Sequence, residues 1–283
     1  MNLYHIITYY ILIAISSVLR ILSIKKHYII SHNIASILYN YIPKRKITAL
    51  ENLQIAFPNK SKEWRENTLR SCYQFFVYNF IQFMSFPIES NSINIEVAGK
   101  QFLENAMQKK KGVILISAHF GAWEILGYWF GVNNYPLNGV AQKQKNKGAN
   151  KFFEITRQLS GVKQIYRKTS MDSFYDVLKN EKILGLVSDQ DAKNKGVFVD
   201  FFDYPASTHK GASLFHLNTN APMIFGICVQ KGFVDYRVEF MPVQSDKKSI
   251  ESITQLYTSI IEKTVKKYPE QYFWFHKRWK TKK

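Results

Sequence analysis

One short segment of the chain combines the residue types that acid–base catalysis uses. His119 follows VILISA (113–118), an uninterrupted apolar run that is typical of a strand buried on both faces. Gly121 permits a sharp turn, and Glu124 lies in the first turn of the next predicted helix. Across such a turn, a carboxylate can bind one imidazole nitrogen and leave the other to take a proton from a hydroxyl. The alternative is that Glu124 only interacts with the helix dipole.

The elements around this segment predict an α/β fold with a mixed central sheet flanked by helices. Two further apolar runs, ILGLVS (183–188) and PMIFGICV (222–229), indicate buried strands. The segment VDYRVEFM (234–241) alternates polar and apolar residues, which indicates a strand with one more exposed face. Predicted helices cover residues 28–42, 61–84 with Ser61 as N-cap, 121–130, 149–159 and 249–268.

Several enzyme classes are disfavoured because their signatures are missing from the sequence. It contains no GxSxG, GxxxxGK[ST], GxGxxG or HExxH pattern, which argues against serine hydrolases, P-loop nucleotidases, Rossmann dehydrogenases and zincins. Cys72 and Cys228 form no CxxC pair, which argues against a disulfide scaffold or a zinc ribbon. No metal and no cofactor are predicted.

Positive charge is concentrated at both ends of the chain. Of the formal net charge of +18, residues 1–60 carry +6 and residues 263–283 carry +7. Two basic ends around a nearly neutral middle predict contact with an anionic surface, either a membrane or nucleic acid. No zinc-finger, RRM or basic-zipper spacing is present, and aromatic residues accompany the terminal charges. The membrane is therefore the favoured surface, and no nucleic-acid partner is predicted.

The N-terminal segment supports the membrane interpretation. Residues 6–19 contain no charge, but 14 helical residues extend only about 21 Å, short of the hydrocarbon core of a bilayer. Residues 1–26 are predicted to be a membrane anchor helix that spans the bilayer or lies on its surface, and residues 27–283 a single α/β domain. The basic residues Arg20, Lys25 and Lys26 follow the apolar run, which predicts that the domain stays cytoplasmic.

Several segments together resemble the bacterial lipid A acyltransferases of the lauroyl and myristoyl type, within the lysophospholipid-acyltransferase-like superfamily. HFGAWE resembles their H-x4-D/E motif, with His119 and Glu124 in its two positions. The other blocks follow in family order and cover the chain from about residue 5 to residue 280. They are NLQIAFP (52–58), SDQDAKNKGVFVDFF (188–202), PASTHKGASLF (205–215), NAPMI (220–224) and PEQYFWFHKRWK (269–280).

The resemblance implies a glycerolphosphate-acyltransferase-like fold and a reaction. An acyl chain passes from a thioester on acyl carrier protein to a hydroxyl of a phosphorylated glycolipid, a lipid A precursor, at the cytoplasmic face of the bacterial inner membrane. In that reaction His119 acts as general base and Glu124 orients it. The same chemistry on another glycolipid, phospholipid or aminolipid acceptor is the first alternative, and a non-enzymatic basic membrane-binding protein is the second.

The resemblance also suggests substrate-binding residues. Arg157 corresponds to an arginine that stabilises the oxyanion or binds a phosphate, although it could be a surface residue of its helix. Asp189 and Gln190 follow the strand ILGLVS and either bind the acceptor sugar or form a turn. His209 and Lys210 are candidates for contact with acceptor phosphates.

Two departures from the family pattern bear on the acceptor. Lys143 follows Ala141 and Gln142 where many relatives have an arginine, and a lysine lacks the bidentate fork of a guanidinium. Asp203 replaces a glycine after Phe201 and Phe202, so a non-glycine residue is expected to adopt a positive φ there.

Overall fold

The computed structural model describes residues 2–87, 92–244 and 249–283 and contains one large, mostly parallel sheet. Its strands, in chain order, are β1 (Asn94–Ala98), β2 (Val113–Ser117), β3 (Leu137–Ala141), β4 (Lys163–Tyr166), β5 (Ile183–Val187), β8 (Met223–Gln230) and β9 (Asp235–Pro242). They are arranged in the order β1-β9-β8-β2-β5-β3-β4, and β8 and β9 are the antiparallel pair. The predicted mixed α/β sheet is confirmed.

Strand β2 lies in the middle of this sheet because both of its faces are apolar. All five of its residues are buried. Ile114 and Ile116 pack into one apolar cluster, and Val113 and Leu115 pack into another on the opposite face. An uninterrupted apolar run is what such a position requires, as the sequence indicated.

Helices cover both faces of the sheet. Residues of α5 (Lys100–Met107) and α6 (Trp123–Val132) share the cluster of Val113 and Leu115. Residues of α8 (Met171–Lys179), α9 (Gly211–Thr219) and α10 (Ile250–Lys267) share the cluster of Ile114 and Ile116. Helix α7 (Lys147–Leu159) precedes the edge strand β4.

Four helices precede the sheet: α1 (Leu3–Ile21), α2 (Ile24–Tyr41), α3 (Pro43–Ala56) and α4 (Lys62–Met84). The Ser61 hydroxyl accepts the Trp64 N–H at 3.1 Å, which confirms the predicted N-cap of α4. Helix α3 was not predicted. Pro43 ends the preceding helix as expected, but it also occupies the first turn of α3, where its missing N–H costs nothing.

A separate hairpin of β6 (Val197–Phe201) and β7 (Tyr204–Thr208) confirms the expectation for Asp203. The two turn residues, Phe202 and Asp203, have φ values of 53° and 61°. Two-residue hairpins favour this left-handed conformation because it matches the twist of the strands. A bulky aromatic residue and an acidic residue therefore occupy positions where glycine is common.

Candidate active site

The sheet brings His119 and Asp189 together at one edge. Strands β2 and β5 are parallel neighbours with Ser117 opposite Val187, and the Ser188 N–H donates to the Ser117 carbonyl at 3.0 Å. His119 and Asp189 each lie two residues beyond these strand ends, so both point into the region where open α/β sheets bind ligands. The predicted common edge for these two residues is confirmed.

The Asp189 carboxylate holds His119 through two contacts. The backbone N–H of His119 donates to Oδ1 at 2.9 Å, and the imidazole Nδ1 lies 2.9 Å from the same oxygen. Burial alone would raise the pKa of Asp189, but the charge and hydrogen bonds of His119, together with the charge of Arg278, lower it below its ordinary value. Asp189 is therefore ionised and acts as an acceptor, which places the imidazole proton on Nδ1.

This tautomer leaves His119 Nε2 with a free electron pair. Nε2 has no hydrogen-bond partner among the residues that the structure describes, and 30% of the side chain is exposed. The imidazole is also fixed between two aromatic rings, with centroids 5.7 Å from Trp123 and 6.2 Å from Phe273. In the neutral imidazole, Nε2 is therefore an oriented and accessible hydrogen-bond acceptor, which is what a general base requires.

Glu124 binds Arg157 instead of His119. Its carboxylate accepts hydrogen bonds from Arg157 Nε at 3.1 and 3.2 Å and from Nη2 at 2.6 Å. The expected hydrogen bond from Glu124 to the imidazole is therefore wrong, because Asp189 occupies Nδ1 and the guanidinium occupies the Glu124 carboxylate. The catalytic importance of Glu124 stays a prediction, with a role that must act through Arg157.

Arg157 is correspondingly constrained, and its side chain is half-buried. Although burial would lower its pKa, the charge and hydrogen bonds of Glu124 raise it, so the guanidinium is firmly protonated. Its Nη1 also donates to Gln164 Oε1 at 2.9 Å. One N–H on each terminal nitrogen is left for a ligand. The alternative of an unconstrained surface arginine is thus excluded, whereas a contact with substrate stays a prediction.

A large apolar cavity adjoins the histidine. Its volume is about 950 Å³, and Trp123 and Phe273, which contact the His119 ring, line it together with Glu124 and Arg157. Most of the remaining wall is aliphatic or aromatic. These wall residues include Leu12, Ile15, Ile30, Leu38, Phe80 and Met84.

Residues 269–281, here called the closing segment, complete the site. Within it, the Phe273 N–H donates to the His119 carbonyl at 2.9 Å, and the Gln271 carbonyl accepts the Gly121 N–H at 2.8 Å. Gly121 has a φ of +63°, and a Cβ there would lie 2.1 Å from the Cys228 carbonyl oxygen. The sharp turn predicted at Gly121 is therefore confirmed, and close backbone approach adds a second requirement for glycine.

Asn52 ties the closing segment to α3. Its Nδ2 donates to the carbonyls of Trp274 at 2.7 Å and His276 at 2.6 Å. His276 then accepts the Asp191 N–H on Nε2 at 3.1 Å, so its own proton lies on Nδ1. Burial, assisted by the charges of His119 and Arg278, lowers the pKa of His276, which keeps the ring neutral. His276 also lines the cavity.

The other predicted substrate-binding residues lie at varying distances from this centre. Gln190 adjoins Asp189 and is half-buried, without a side-chain hydrogen bond among the described residues. His209 is half-buried within the electrostatic influence of Asp189, and burial with the charges of Arg167 and Arg278 lowers its pKa. Lys210 occupies the N-cap position of α9, without a capping hydrogen bond from its side chain. Their contacts with a substrate stay predictions.

Comparison with known proteins decides the family. Residues 1–281 match the family described as bacterial lipid A biosynthesis acyltransferase. The chain belongs to this family.

Individual members of the family are distant relatives. The chain is 24% identical to a lipid A biosynthesis palmitoleoyltransferase of Escherichia coli over 86% of this chain and 81% of that protein. It is 21% identical to a lipid A biosynthesis lauroyltransferase of E. coli over the same shares. A phosphatidylinositol mannoside acyltransferase of Mycobacterium tuberculosis is 23% identical over 48% of this chain and 44% of that protein. The protein is thus an acyltransferase.

Two residues of this acyltransferase site escaped the sequence analysis. Asn52 was noted only as part of NLQIAFP, and His276 was assigned no chemistry. Both lie in blocks that resemble the family, and this position was the sequence feature that could have indicated a role in the site. Their contact joins positions 224 residues apart, which no local pattern reports.

Proposed function

We propose that this acyltransferase moves a fatty acyl chain from acyl carrier protein to a hydroxyl of a lipid A precursor. The observation that carries the proposal is the unpaired Nε2 of His119, whose ring packs against Trp123 and Phe273 in the wall of an apolar cavity of about 950 Å³. A cavity of that size and lining suits an acyl chain, and a neighbouring base suits a hydroxyl nucleophile. Family membership supports lipid A as the acceptor.

His119 performs the proton transfers. Its Nε2 takes the proton of the acceptor hydroxyl as that oxygen attacks the thioester carbonyl, and Asp189 stabilises the imidazolium that forms. The tetrahedral intermediate collapses to the new ester when the carbon–sulfur bond breaks. The leaving thiolate takes the proton back from Nε2, which restores the neutral imidazole.

The oxyanion of the intermediate requires hydrogen-bond donors. Among the residues that line the cavity, His276 has a donor left on Nδ1 and Arg157 has donors left on its terminal nitrogens. Donors that are fixed before the reaction stabilise developing charge without reorganisation. Glu124 contributes by holding Arg157 in place, which gives the second position of the H-x4-E motif a function.

Both substrates suit the charge distribution of the protein. The basic ends favour an anionic inner-leaflet membrane, a phosphorylated acceptor and an acidic carrier protein. His209 and Lys210 are assigned to acceptor phosphates and Gln190 to the acceptor sugar, whereas Asp189, whose side chain is only 2% exposed, acts through His119. We place the enzyme at the cytoplasmic face of the inner membrane and assign it no cofactor.

A transfer assay tests the reaction. Purified enzyme, acyl carrier protein bearing a labelled acyl chain and a lipid A precursor should give a labelled lipid product, and His119→Ala should not. Failure of the wild-type enzyme with all lipid A precursors would contradict the proposal.

A second acceptor class has one observation in its favour. The partial similarity to a phosphatidylinositol mannoside acyltransferase shows that related sequences include enzymes named for another glycolipid. Mass spectrometry of lipids from cells with and without the protein separates the two. A change confined to lipid A supports the first proposal, and an unchanged lipid A with another altered glycolipid supports the second.

A further inference from the structure

Helix α1 is apolar and long enough to cross a membrane, yet its first half is attached to the catalytic domain. Asn146 Nδ2 donates to Thr8 Oγ1 at 3.0 Å. A Cβ on Gly148 would lie 1.9 Å from the His5 carbonyl, so the backbones of α1 and α7 nearly touch. The Lys151 ammonium lies 4.8 Å from the centre of the Tyr9 ring. The start of α1 is therefore packed against the start of α7.

The second half of α1 is attached as well. Leu19 is buried in a cluster with Ile81 and Met84 of α4. The Leu19 carbonyl lies 2.7 Å from His27 Nε2 of α2. Arg20, the one charged residue of α1, donates to the Phe86 carbonyl. Both ends of the helix thus contact the same body along a length of about 28 Å.

A bilayer-spanning orientation is incompatible with these contacts. If α1 crossed the membrane, the start of α7, which is packed along the first half of α1, would have to enter the hydrocarbon with it. That part of the chain carries Lys145, Lys147 and Lys151. Each lysine placed at the centre of a bilayer costs about 2.5–3.5 kcal/mol. The packing of α1 and an orientation across the bilayer therefore exclude each other.

The rest of the surface of α1 is apolar and largely uncovered. Tyr4, Ile11 and Val18 occur at intervals of seven residues, which places them on one side of the helix, and 67%, 53% and 58% of their surfaces are exposed. Exposed aliphatic residues on α2 and α3, among them Ile37 and Ile47, extend the apolar surface. Lys25 and Lys26 follow α1 directly, as expected of a helix that meets anionic headgroups.

We propose that α1 lies in the plane of one leaflet of an anionic bilayer and does not span it. The inference deepens the proposed function, since it rests on the membrane as the place of reaction. Tyr4, Ile11 and Val18 then enter the leaflet together, while the face of α1 that carries Thr8 and Leu19 stays packed on α7 and α4.

This orientation also gives the cavity its entrance. Ile15 of α1, Ile34 of α2 and Phe80 of α4 line the cavity, and each is more than one third exposed. The cavity therefore opens where the protein meets the leaflet. Acyl chains pass between hydrocarbon and the site without crossing water.

Depth measurement on the full-length protein tests the inference. Tyr4→Cys, Ile11→Cys and Val18→Cys are each spin-labelled, and the protein is bound to vesicles of phosphatidylethanolamine and phosphatidylglycerol. We expect the three labels at equal, shallow depth. A spanning helix separates the outer two by about 21 Å along the membrane normal, with Ile11 deepest. That gradient would overturn the inference, as would the absence of lipid contact at all three positions.

Controls separate this test from that of the proposed function. Wild-type protein controls for background labelling, because Cys72 and Cys228 are both buried. Asn180→Cys provides an exposed position just before the start of β5, at the edge of the sheet opposite to His119, and its label should remain in water. Acyl transfer is measured on the same preparations in detergent. Equal depths without transfer would contradict only the proposed reaction, and transfer with a depth gradient would contradict only the orientation of α1.

Discussion

Two carboxylates flank the catalytic region of this acyltransferase, and each has a different partner. Asp189 is buried and binds the imidazole of His119, whereas Glu124 binds the guanidinium of Arg157. Trp123 lies between the two pairs, with its ring 5.7 Å from that of His119 and its indole N–H donating to Glu124 at 3.3 Å. The carboxylate that binds the histidine determines its tautomer, whereas the carboxylate that binds the arginine fixes the position of a positive charge. Substitutions in the two pairs should therefore have different effects on catalysis and stability.

The largest effect is expected at His119. His119→Ala removes the general base and should lower kcat by about 10²–10⁴-fold, or about 3–5 kcal/mol of transition-state stabilisation. The measurement is the steady-state rate of acyl transfer, with circular dichroism to verify folding. A folded variant that retains the wild-type rate would remove His119 from the mechanism.

Asp189→Asn should cost nearly as much without removing any catalytic atom. The amide can donate to Nδ1, which favours the tautomer with the proton on Nε2, and kcat should fall about 10²-fold or more. The KM for the acyl donor should change little. A variant that raises KM but keeps kcat would instead assign Asp189 to acceptor binding.

Changes in the second pair should be smaller and coupled. Glu124→Gln leaves the charge of Arg157 partly uncompensated and should lower the stability by about 1–3 kcal/mol, at the low end for a buried pair because both side chains are partly exposed. Transfer should slow by about tenfold, since one donor to the oxyanion is displaced.

A double-mutant cycle separates the two pairs further. Arg157→Met combined with Glu124→Gln should lose less than the sum of the single losses, because the two residues act as one unit. Glu124→Gln combined with Asp189→Asn should be closer to additive. Strong coupling in the second cycle would show that the two carboxylates serve one function after all.

The smallest expected effect is on the pH dependence of stability, and it comes from two histidines near the His119–Asp189 pair. The pKa values of His209 and His276 are lowered in the folded protein, and burial is the first cause of both shifts. The unfolded chain therefore binds more protons as the pH falls through about 6.5, and the free energy of unfolding should decrease over that range. Urea titrations of wild type and His276→Asn measure this, and the variant should show the shallower decrease. Equal slopes would contradict the burial of a neutral His276.

The comparison also explains what the sequence could predict. Apolar runs identified β2, β5 and β8, and an alternating pattern identified β9; the ends of β2 and β5 supplied His119 and Asp189. The order of strands determines that these two ends are adjacent, and a single sequence does not contain that order. A carboxylate five positions away was therefore assigned to His119 in place of one 70 positions away.

Local backbone conformation was predicted more successfully than contacts between residues that are distant in the sequence. The sharp turn at Gly121 followed from the residues around it, and the positive φ at Asp203 followed from the glycine that the family has at that position. By contrast, the hydrogen bonds of Asn52 to the closing segment join elements that only the folded chain brings together. The pairing of Glu124 with Arg157 likewise depends on the placement of α7 beside α6.

The closing segment gives the site its own sensitivity to heat and denaturant. It contributes Phe273 and His276. Besides the burial of Trp274 and Trp279, it is held by two hydrogen bonds from Asn52 and one from Arg45, without a continuous ladder such as that between β2 and β5. Detachment of these residues would open the wall beside His119 while the sheet stays folded. Enzymatic activity should therefore be lost at a lower temperature than the far-ultraviolet circular dichroism of the sheet and helices.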